Sequence, residues 1–205
     1  MALRIVSGLR RGFKLFTLPG LATRPMGERA RQAVFNVLGE RVAGARVLDL
    51  FAGSGVLGLE ALSRGADHVV FVEVVPEAVS IIQRNIDKLD FAGRARVIRT
   101  DVFRCASYAH HAGRCDLVFI DPPYEMVREL TSDSPFGAFL ADLSTRDILG
   151  PDGIIILGHH RDSLLNERFG KIVLSDRRNY GINGVAFLRL ADDNLTGPAP
   201  TGTEG

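Results

Sequence analysis

Between residues 46 and 157, short apolar runs alternate with segments whose apolar residues recur at helical spacing, and this alternation constrains the fold more than any other feature of the sequence. The predicted strands are continuously apolar, as parallel strands are when helices cover both faces of a sheet. They span residues 46–51, 69–74, 95–99, 117–120 and 154–157, and helices are predicted at 28–38, 56–63, 77–89 and 136–143. This order predicts an α/β fold with a doubly wound, mostly parallel sheet.

The two ends of the chain depart from this alternation. Residues 3–6 and 13–16 have the pattern of two short strands, which predicts a β-hairpin extension within residues 1–26. Residues 171–174 and 185–190 flank turn-forming glycines, which predicts an antiparallel hairpin at the edge of the sheet. We expect a Rossmann-like domain with a seven-stranded sheet over residues 27–190, followed by a disordered tail over residues 191–205, which has no apolar face.

Positive charge is concentrated at the start of the chain. Residues 1–31 carry a formal net charge of +6, whereas the rest of the chain carries −5. A basic segment on a mildly acidic body favours a polyanionic partner, and a chance cluster on a solvated surface is the alternative. The cationic side chains that would bind such a partner are Arg4, Arg10, Arg11, Lys14, Arg24, Arg29 and Arg31.

Several classes of protein do not fit the sequence pattern. No apolar run approaches the ~18 residues of a membrane-spanning helix, and basic residues interrupt the first 15 residues, where a signal peptide needs an apolar core. A cytoplasmic protein is therefore expected. Cys105 and Cys115 form no C-x-x-C motif and are expected to be reduced thiols. No metal site is predicted, because the adjacent residues of His110-His111 and of His159-His160 would point opposite ways in a strand.

A glycine-rich segment follows the first predicted strand. Residues 49–58, DLFAGSGVLG, contain Gly53, Gly55 and Gly58 in the spacing G-x-G-x-x-G at the turn from strand to helix. Glycines there allow a tight turn, and the helix N-terminus offers free N–H groups to a ligand. The same pattern, with an acid at the end of the next strand, occurs in proteins that bind NAD, so a dehydrogenase is one interpretation.

Three acidic residues favour a different ligand. Asp49, Glu73 and Asp101 lie at or just after the ends of the first three predicted strands, and these ends share one edge of a parallel sheet. Asp49 would repel a pyrophosphate but attract an ammonium group, and the other two acids suit a ribose diol and an adenine amine. S-adenosylmethionine carries all three groups, so we expect it as the cofactor. Helix capping and loop solvation are the alternative roles of these acids.

The tetrapeptide Asp121-Pro122-Pro123-Tyr124 follows the fourth predicted strand and is the candidate catalytic motif. Its two prolines fix the backbone and remove two N–H donors, so the carboxylate and nearby carbonyls remain as acceptors. Such acceptors can hold the hydrogens of a nucleobase amine and direct its lone pair at an electrophilic methyl group, while the tyrosine stacks on the base. The motif therefore predicts methyl transfer to an aromatic amine, and a turn with a buried aromatic is the alternative.

Together, these motifs resemble those of the S-adenosylmethionine-dependent amino methyltransferases of Rossmann-like fold. The segments RIVSG at 4–8, RGFKL at 11–15 and TRP at 23–25, followed by Arg29, Arg31 and Phe35-Asn36, resemble the RsmD family of bacterial enzymes in particular. The resemblance runs from about residue 3 to residue 190. The sequence departs from the family pattern at Met26-Gly27-Glu28, where a Thr/Asp-rich helix start is usual, and at Ile182-Asn183-Gly184, where Asp-Thr is usual.

The resemblance implies methylation of the N2 amine of one guanine in small-subunit (16S) ribosomal RNA. It implies that S-adenosylmethionine is bound by Asp49, Phe51, Ala52, Gly53, Ser54, Gly55, Glu73, Val74, Asp101, Val102 and Asp121. It also implies that Asp121, Pro122, Pro123 and Tyr124 hold a guanine flipped out of its stack, and that the basic N-terminal residues hold phosphates. The partner would be ribosomal RNA within an assembling particle, and the enzyme would act as a monomer.

Two other functions are compatible with the same motifs. An adenine-N6 methyltransferase of DNA or RNA would share the catalytic tetrapeptide, but the DNA enzymes normally need an inserted target-recognition domain, for which this chain has no room. A non-catalytic RNA-binding factor in ribosome assembly would be expected to have a degraded glycine loop or tetrapeptide, and both are intact.

Overall fold

The computed structural model of the protein describes residues 3–17 and 26–191. Within them, the α-helices are α1 Glu28–Leu38, α2 Val56–Ser63, α3 Pro76–Leu89, α4 Ala109–Ala112 and α5 Pro135–Leu143. The strands are β1 Arg46–Leu50, β2 His68–Glu73, β3 Ala95–Arg99, β4 Cys115–Ile120, β5 Glu129–Leu130, β6 Leu149–His160, β7 Leu164–Leu165, β8 Arg168–Phe169, β9 Ile172–Tyr180 and β10 Asn183–Leu190. Arg24, the TRP segment and the predicted tail from residue 192 onward lie outside the described residues.

The main sheet has the strand order β3-β2-β1-β4-β6-β10-β9-β8. Its strands from β3 to β6 are parallel, and β10 is antiparallel to both of its neighbours, so the predicted fold class and edge hairpin are confirmed. The sheet has one more strand than the seven predicted, because two residues of β8 pair with β9. A second small sheet of β5 and β7 was not predicted either. These three additional strands, β5, β7 and β8, have only two residues each, which is too short for a strand pattern to be recognised in the sequence.

The core lies in two layers, one on each face of the sheet. One layer packs α1, α2 and α3 against side chains such as Val47, Val69 and Phe119. The other packs α4 and α5 against side chains such as Leu48 and Val118. Successive residues of each central strand thus alternate between two buried faces, and this is why these strands read as continuous apolar runs.

The N-terminal extension forms a hairpin with little regular strand. Arg4 and Lys14 make a single antiparallel bridge, and Ile5 and Leu15 donate backbone hydrogen bonds to Phe13 and Leu3. The side chains of Ile5 and Leu15 are buried in the same apolar cluster as α1 and α2. The described part of the extension is therefore built into the core of the following domain.

Buried polar side chains hold this extension in place. The Glu60 carboxylate accepts hydrogen bonds from the backbone N–H groups of Val6 and Ser7, at 2.8 and 3.0 Å. The Asn85 amide oxygen accepts the Phe16 N–H at 2.8 Å, and the Asn85 amide nitrogen donates to the carbonyls of Phe16 and Ser54. Asn85 thereby connects the extension to the glycine-rich loop.

One predicted RNA-binding residue has a structural position instead. Arg31 is 0% exposed, donates to the Arg4 carbonyl at 2.7 Å, and lies 3.8 Å from the Glu60 carboxylate. A fully buried guanidinium cannot reach a phosphate in this conformation. The prediction that Arg31 binds RNA is therefore wrong for this structure, because its helical position faces the core rather than solvent.

The described residues contain no helix that is both long and apolar enough to cross a membrane. They also contain no cluster of three or more side chains of the types that bind metals. The histidine pairs differ from the expected geometry in one respect: His110 and His111 lie on the short helix α4, not in a strand. Cys105 and Cys115 are buried and unpaired.

Candidate active site

The strand order places the two candidate motifs side by side. From β1, the strands β2 and β3 are added on one side of the sheet, and β4 and β6 are added on the other side. Open α/β sheets bind ligands at the carboxyl ends of the strands where the order reverses in this way. The glycine loop follows β1, and the Asp121 tetrapeptide follows β4, whose Ile120 is in register with Leu50. Both motifs therefore line the same crevice.

Positive φ angles shape the glycine loop. Gly53 and Gly55 have φ of 56° and 77°, which glycine adopts without strain. Phe51 also has a positive φ, of 57°, which is strained for a bulky side chain and is typical of functional loops. Its ring stacks on Phe136 at a centroid distance of 6.0 Å, which helps to hold this backbone conformation.

Asp49 lies beneath the loop and is not open to solvent. It is 1% exposed, and one carboxylate oxygen accepts the Gly58 N–H at 3.0 Å. Burial raises the pKa of this carboxyl well above its usual value, and the negative charges of Asp121 and Glu73 act in the same direction. The structure thus gives Asp49 a role in anchoring the first turn of α2, and its predicted contact with an ammonium group stays a prediction.

Glu73 lies at the end of β2, directly against the glycine loop. Its carboxylate accepts three backbone hydrogen bonds, from Gly53 at 2.8 Å, Val74 at 2.8 Å and Val75 at 2.9 Å. The carboxylate is 8% exposed, whereas the next side chain, Val74, is 57% exposed. An oriented carboxylate beside an uncovered apolar side chain suits a ligand that has a hydroxylated and an apolar part.

The segment after β3 supplies a further apolar surface. The Asp101 carboxylate is exposed and accepts the Phe103 N–H at 3.0 Å, while Val102 is buried. Phe103 is 39% exposed and meets Phe51 edge-on at 6.2 Å. The sequence interpretation missed Phe103, although an aromatic residue two positions after an expected ligand was a usable signal.

Two contacts fix the Asp121 carboxylate. Its Oδ2 atom accepts the backbone N–H of Met26 at 3.1 Å. Its Oδ1 atom lies over the backbone of Gly158 in β6, where an added Cβ would overlap it. Burial raises the pKa of Asp121 to about 6, and the hydrogen bond from Met26 opposes this rise. Among the described residues nothing donates to Oδ1, so this oxygen is available to a ligand.

Tyr124 is held by one group from the edge hairpin and one from the end of β6. Its hydroxyl donates to the Asn183 amide oxygen at 2.6 Å, and its ring lies edge-on to His160 at 5.8 Å. Burial raises the pKa of the Tyr124 hydroxyl, which therefore stays protonated as a donor. Met26 and Asn183, which contact the tetrapeptide, belong to the two segments that depart from the resembled family pattern.

The other basic side chains that were predicted to bind RNA, apart from Arg31 and Arg24, differ in whether they already have protein partners. Arg4 pairs with Glu28 at 2.9 Å, and Arg10 donates to the Leu89 carbonyl at 2.7 Å and lies 3.5 Å from Asp90. The exposed side chains without such a contact in the described residues are those of Arg11, Lys14 and Arg29.

Comparison with known proteins gives a consistent result. The family described as "Conserved hypothetical protein 95" matches residues 3–189. YlbH of Bacillus subtilis, a proposed rRNA methyltransferase, is 34% identical over 191 residues, covering 91% of this chain and 98% of that protein. Ribosomal RNA small subunit methyltransferase D of Haemophilus influenzae is 37% identical over 122 residues, covering 59% of this chain and 63% of that protein. The solved structure of YhhF from Escherichia coli, a proposed methyltransferase, is 27% identical, covers 93% of this chain and 99% of its own, and has a TM-score of 0.76.

Proposed function

The chain belongs to the RsmD family of S-adenosylmethionine-dependent ribosomal RNA methyltransferases, and from this premise we propose that it methylates the exocyclic N2 amine of a guanine in small-subunit (16S) ribosomal RNA. The observation that carries the proposal is the position of Asp121-Pro122-Pro123-Tyr124 at the end of β4, next to the glycine loop. The names of the small-subunit relatives support the choice of RNA. We further propose that the enzyme acts as a cytoplasmic monomer on an assembling ribosomal particle.

The residues present fit S-adenosylmethionine. Glu73 provides a carboxylate for the ribose hydroxyls. The exposed side chains of Val74 and Phe103 provide an apolar surface for the adenine. The Asp101 carboxylate would accept a hydrogen bond from the adenine amine. The loop residues expected to surround the methionine part are Asp49, Phe51, Ala52, Gly53, Ser54 and Gly55, with Val102 beneath the adenine. When bound, the cofactor supplies a methyl group on a positively charged sulfur.

Asp121 and its neighbours provide the acceptor side of the reaction. Oδ1 of Asp121 accepts one hydrogen of the amine and directs the nitrogen lone pair toward the methyl group. The bound cofactor would supply the methyl group and keep the electrons of the broken carbon–sulfur bond, and the amine would then have a proton to release. A carboxylate with a pKa of about 6 can accept that proton near neutral pH. Pro122 and Pro123 keep the backbone rigid, and Tyr124 stacks on the base.

Nucleoside analysis of the product tests the proposed reaction. The protein is incubated with methyl-labelled S-adenosylmethionine and small ribosomal subunits that lack the modification, and the RNA is then digested to nucleosides. We expect the label in N2-methylguanosine. Label in N6-methyladenosine would favour the adenine alternative, and no label with intact RNA binding would favour a non-catalytic assembly factor.

The Glu73→Ala variant is expected to bind S-adenosylmethionine about 10- to 100-fold more weakly, as expected for the loss of charge-assisted hydrogen bonds. Titration calorimetry measures this Kd directly. The matched control is Glu77→Ala, because Glu77 is an exposed acid in the first turn of the next helix. An unchanged Kd in the Glu73 variant would exclude it from the ribose site.

The rate of methyl transfer is expected to fall about tenfold per pH unit below about 6, and to be level above it. The reason is that the pKa of Asp121 is raised to about 6, so the acceptor form is lost as the pH falls through this value. Single-turnover rates across this range provide the measurement. Cofactor Kd measured over the same range separates this effect from titration of the neighbouring Asp49. A level rate down to about pH 5 would contradict the prediction.

The exposed cations of the extension are expected to set the salt dependence of RNA binding. Reversing two phosphate contacts with the double variant Arg11→Glu, Lys14→Glu should reduce the log–log slope by roughly 1.4 to 1.8. Filter binding at several salt concentrations measures it. The control is Arg168→Glu, Lys171→Glu, which reverses one exposed arginine and one exposed lysine beside the outer edge of the sheet. Equal slopes for the two double variants would remove the extension from the RNA interface.

A further inference from the structure

A cavity of about 350 Å³ lies beside the catalytic tetrapeptide. This volume is within the range of pockets that bind small ligands. Neither Asp121 nor Pro122 lines it, so it is distinct from the place where the target amine is held. Its lining residues are Tyr124, Glu125, Arg128, His160, Asp162 and Ser163. Tyr124 is therefore the wall that the cavity shares with the catalytic motif.

The cavity is supported by a fixed framework. The pairing of β5 with β7 joins the segment after Arg128 to the segment after Ser163, and Leu164 donates its N–H to the Arg128 carbonyl at 2.9 Å. Arg177 donates to the carbonyls of Arg161 and Ser163 at 2.8 and 2.9 Å, which fixes the loop between β6 and β7. The cavity is thus preformed rather than assembled by a ligand.

The polar groups of the lining have unused hydrogen-bonding capacity. Ser163 is 3% exposed, and its hydroxyl oxygen is buried without a hydrogen-bond partner among the described residues. The side chains of Glu125 and Arg128 likewise make no hydrogen bond or ion pair within the described part of the chain. An unsatisfied buried hydroxyl is unfavourable, so rotation of this side chain to bond a ligand in the cavity would be favoured.

The mixture of charges and rings identifies the class of ligand. Glu125 and Asp162 would repel a phosphate placed inside the cavity. An unpaired nucleobase instead carries donors and acceptors along one edge and a flat face that stacks on aromatic rings. Arg128, Glu125 and Ser163 supply donors and acceptors of the kinds that such an edge needs, and the rings of His160 and Tyr124 offer stacking surfaces.

We propose that this cavity binds the base of the ribonucleotide next to the methylated one in the RNA strand. The proposal rests on the proposed function, because a target base that has been flipped out leaves its neighbours without stacking partners. A cavity that shares only the Tyr124 ring with the catalytic motif is placed to bind one of those neighbours. Recognition there would select the sequence or shape around the target.

Two measurements test this proposal, and the first uses enzyme kinetics with small ribosomal subunits that lack the modification. Arg128→Ala and His160→Ala are each expected to raise KM for the subunits about tenfold, because stacking and hydrogen bonds in the cavity are lost. For Arg128→Ala, kcat and the Kd for S-adenosylmethionine should stay within about twofold. For His160→Ala, whose ring lies beside Tyr124, only the Kd for S-adenosylmethionine should stay within that range. Arg114→Ala is the matched control, since Arg114 is exposed and precedes β4 at the opposite edge of the sheet.

The second measurement does not depend on catalysis. RNA fragments that span the methylated nucleotide are made with the base of each neighbour removed in turn, and their Kd values are measured by fluorescence anisotropy. For the wild-type protein we expect one abasic fragment to bind about 5- to 100-fold more weakly, the range of base stacking on an aromatic ring. The His160→Ala protein should discriminate less than about twofold between that fragment and the intact one.

The outcomes separate the two proposals. The cavity proposal would be overturned if the abasic fragment lost the same affinity for the wild-type and His160→Ala proteins. It would also be overturned if both cavity variants had the same KM as the Arg114→Ala control. Neither result would affect the formation of N2-methylguanosine. Discrimination that depends on His160, together with a product other than N2-methylguanosine, would support the cavity and overturn the proposed reaction. Sensitivity to removal of the target base alone would overturn the assignment to a neighbour.

Discussion

Asp121→Ala is expected to lower kcat at least ~100-fold, the scale of removing one oriented electrostatic partner from an active site. The reason is that Oδ1 of Asp121 is the acceptor available to the amine, while Oδ2 is already engaged by Met26. Cofactor affinity should change less than about twofold, because Glu73 and the glycine loop provide most of that binding and the cofactor contact implied for Asp121 adds little. Single-turnover kinetics and calorimetry measure the two effects separately. Equal losses in rate and in cofactor affinity would identify Asp121 as a cofactor ligand instead.

Gly158→Ala tests the same carboxylate without removing it. The added Cβ would overlap Asp121 Oδ1, so the carboxylate must move away from its present position. We expect kcat to fall about 10- to 100-fold, with the cofactor Kd and the thermal stability close to those of the wild type. Gly150→Ala is a milder control in the same strand, because its added Cβ would meet the Cys115 carbonyl at 3.4 Å and no catalytic group. A fully active Gly158 variant would show that the position of this carboxylate is not critical.

Glu60→Ala is expected to lower the free energy of unfolding by about 3–5 kcal/mol, the usual cost of leaving a buried ion without its partner. The Glu60 carboxylate accepts from Val6 and Ser7, bonds the Arg64 guanidinium at 2.8 Å, and lies 3.8 Å from Arg31. Without it, Arg31 keeps its charge at 0% exposure, and two backbone donors lose their acceptor. Urea unfolding followed by circular dichroism measures the change.

Two further variants define the origin of this effect. Glu40→Ala removes an exposed glutamate from the 3-10 helix after α1 and should change stability by less than about 0.5 kcal/mol. Glu60→Gln keeps the shape and one acceptor oxygen, so it should fall between alanine and wild type. A Glu60→Ala protein as stable as the Glu40 control would mean that Arg31 and the extension find other partners.

The sequence was sufficient to predict the elements that contain long apolar runs. The predicted bounds of α1, α2 and β3 agree with the structure, and the other central strands and helices differ by a few residues at their ends. The carboxyl-edge position of Asp49, Glu73, Asp101 and Asp121 also followed from strand order alone. These features depend on local pattern and on the handedness of parallel connections, which are general properties of the chain.

The contacts that fix the catalytic motif could not be predicted in this way. Met26 bonds to Asp121 across 95 positions of sequence, and Asn183 bonds to Tyr124 across 59. Gly158 carries no side chain, so its effect on Asp121 arises only from the register between β4 and β6. The positive charge of Arg31 suggested an exposed side chain, but the side chain is buried beside the Glu60 carboxylate, 29 positions later in the sequence. Such pairings depend on tertiary packing, which residue type and spacing do not encode locally.

The anchoring of the N-terminal hairpin has a consequence for how the protein can be dissected. A truncated chain beginning at α1 would leave Glu60 and Asn85 facing water through the opening vacated by Ile5 and Leu15. Because Asn85 also donates to Ser54 in the glycine loop, the damage would reach the cofactor side of the crevice. The hairpin is part of the hydrophobic core and cannot be removed without disturbing it. Its contacts with RNA are therefore better tested by single surface substitutions than by deletions.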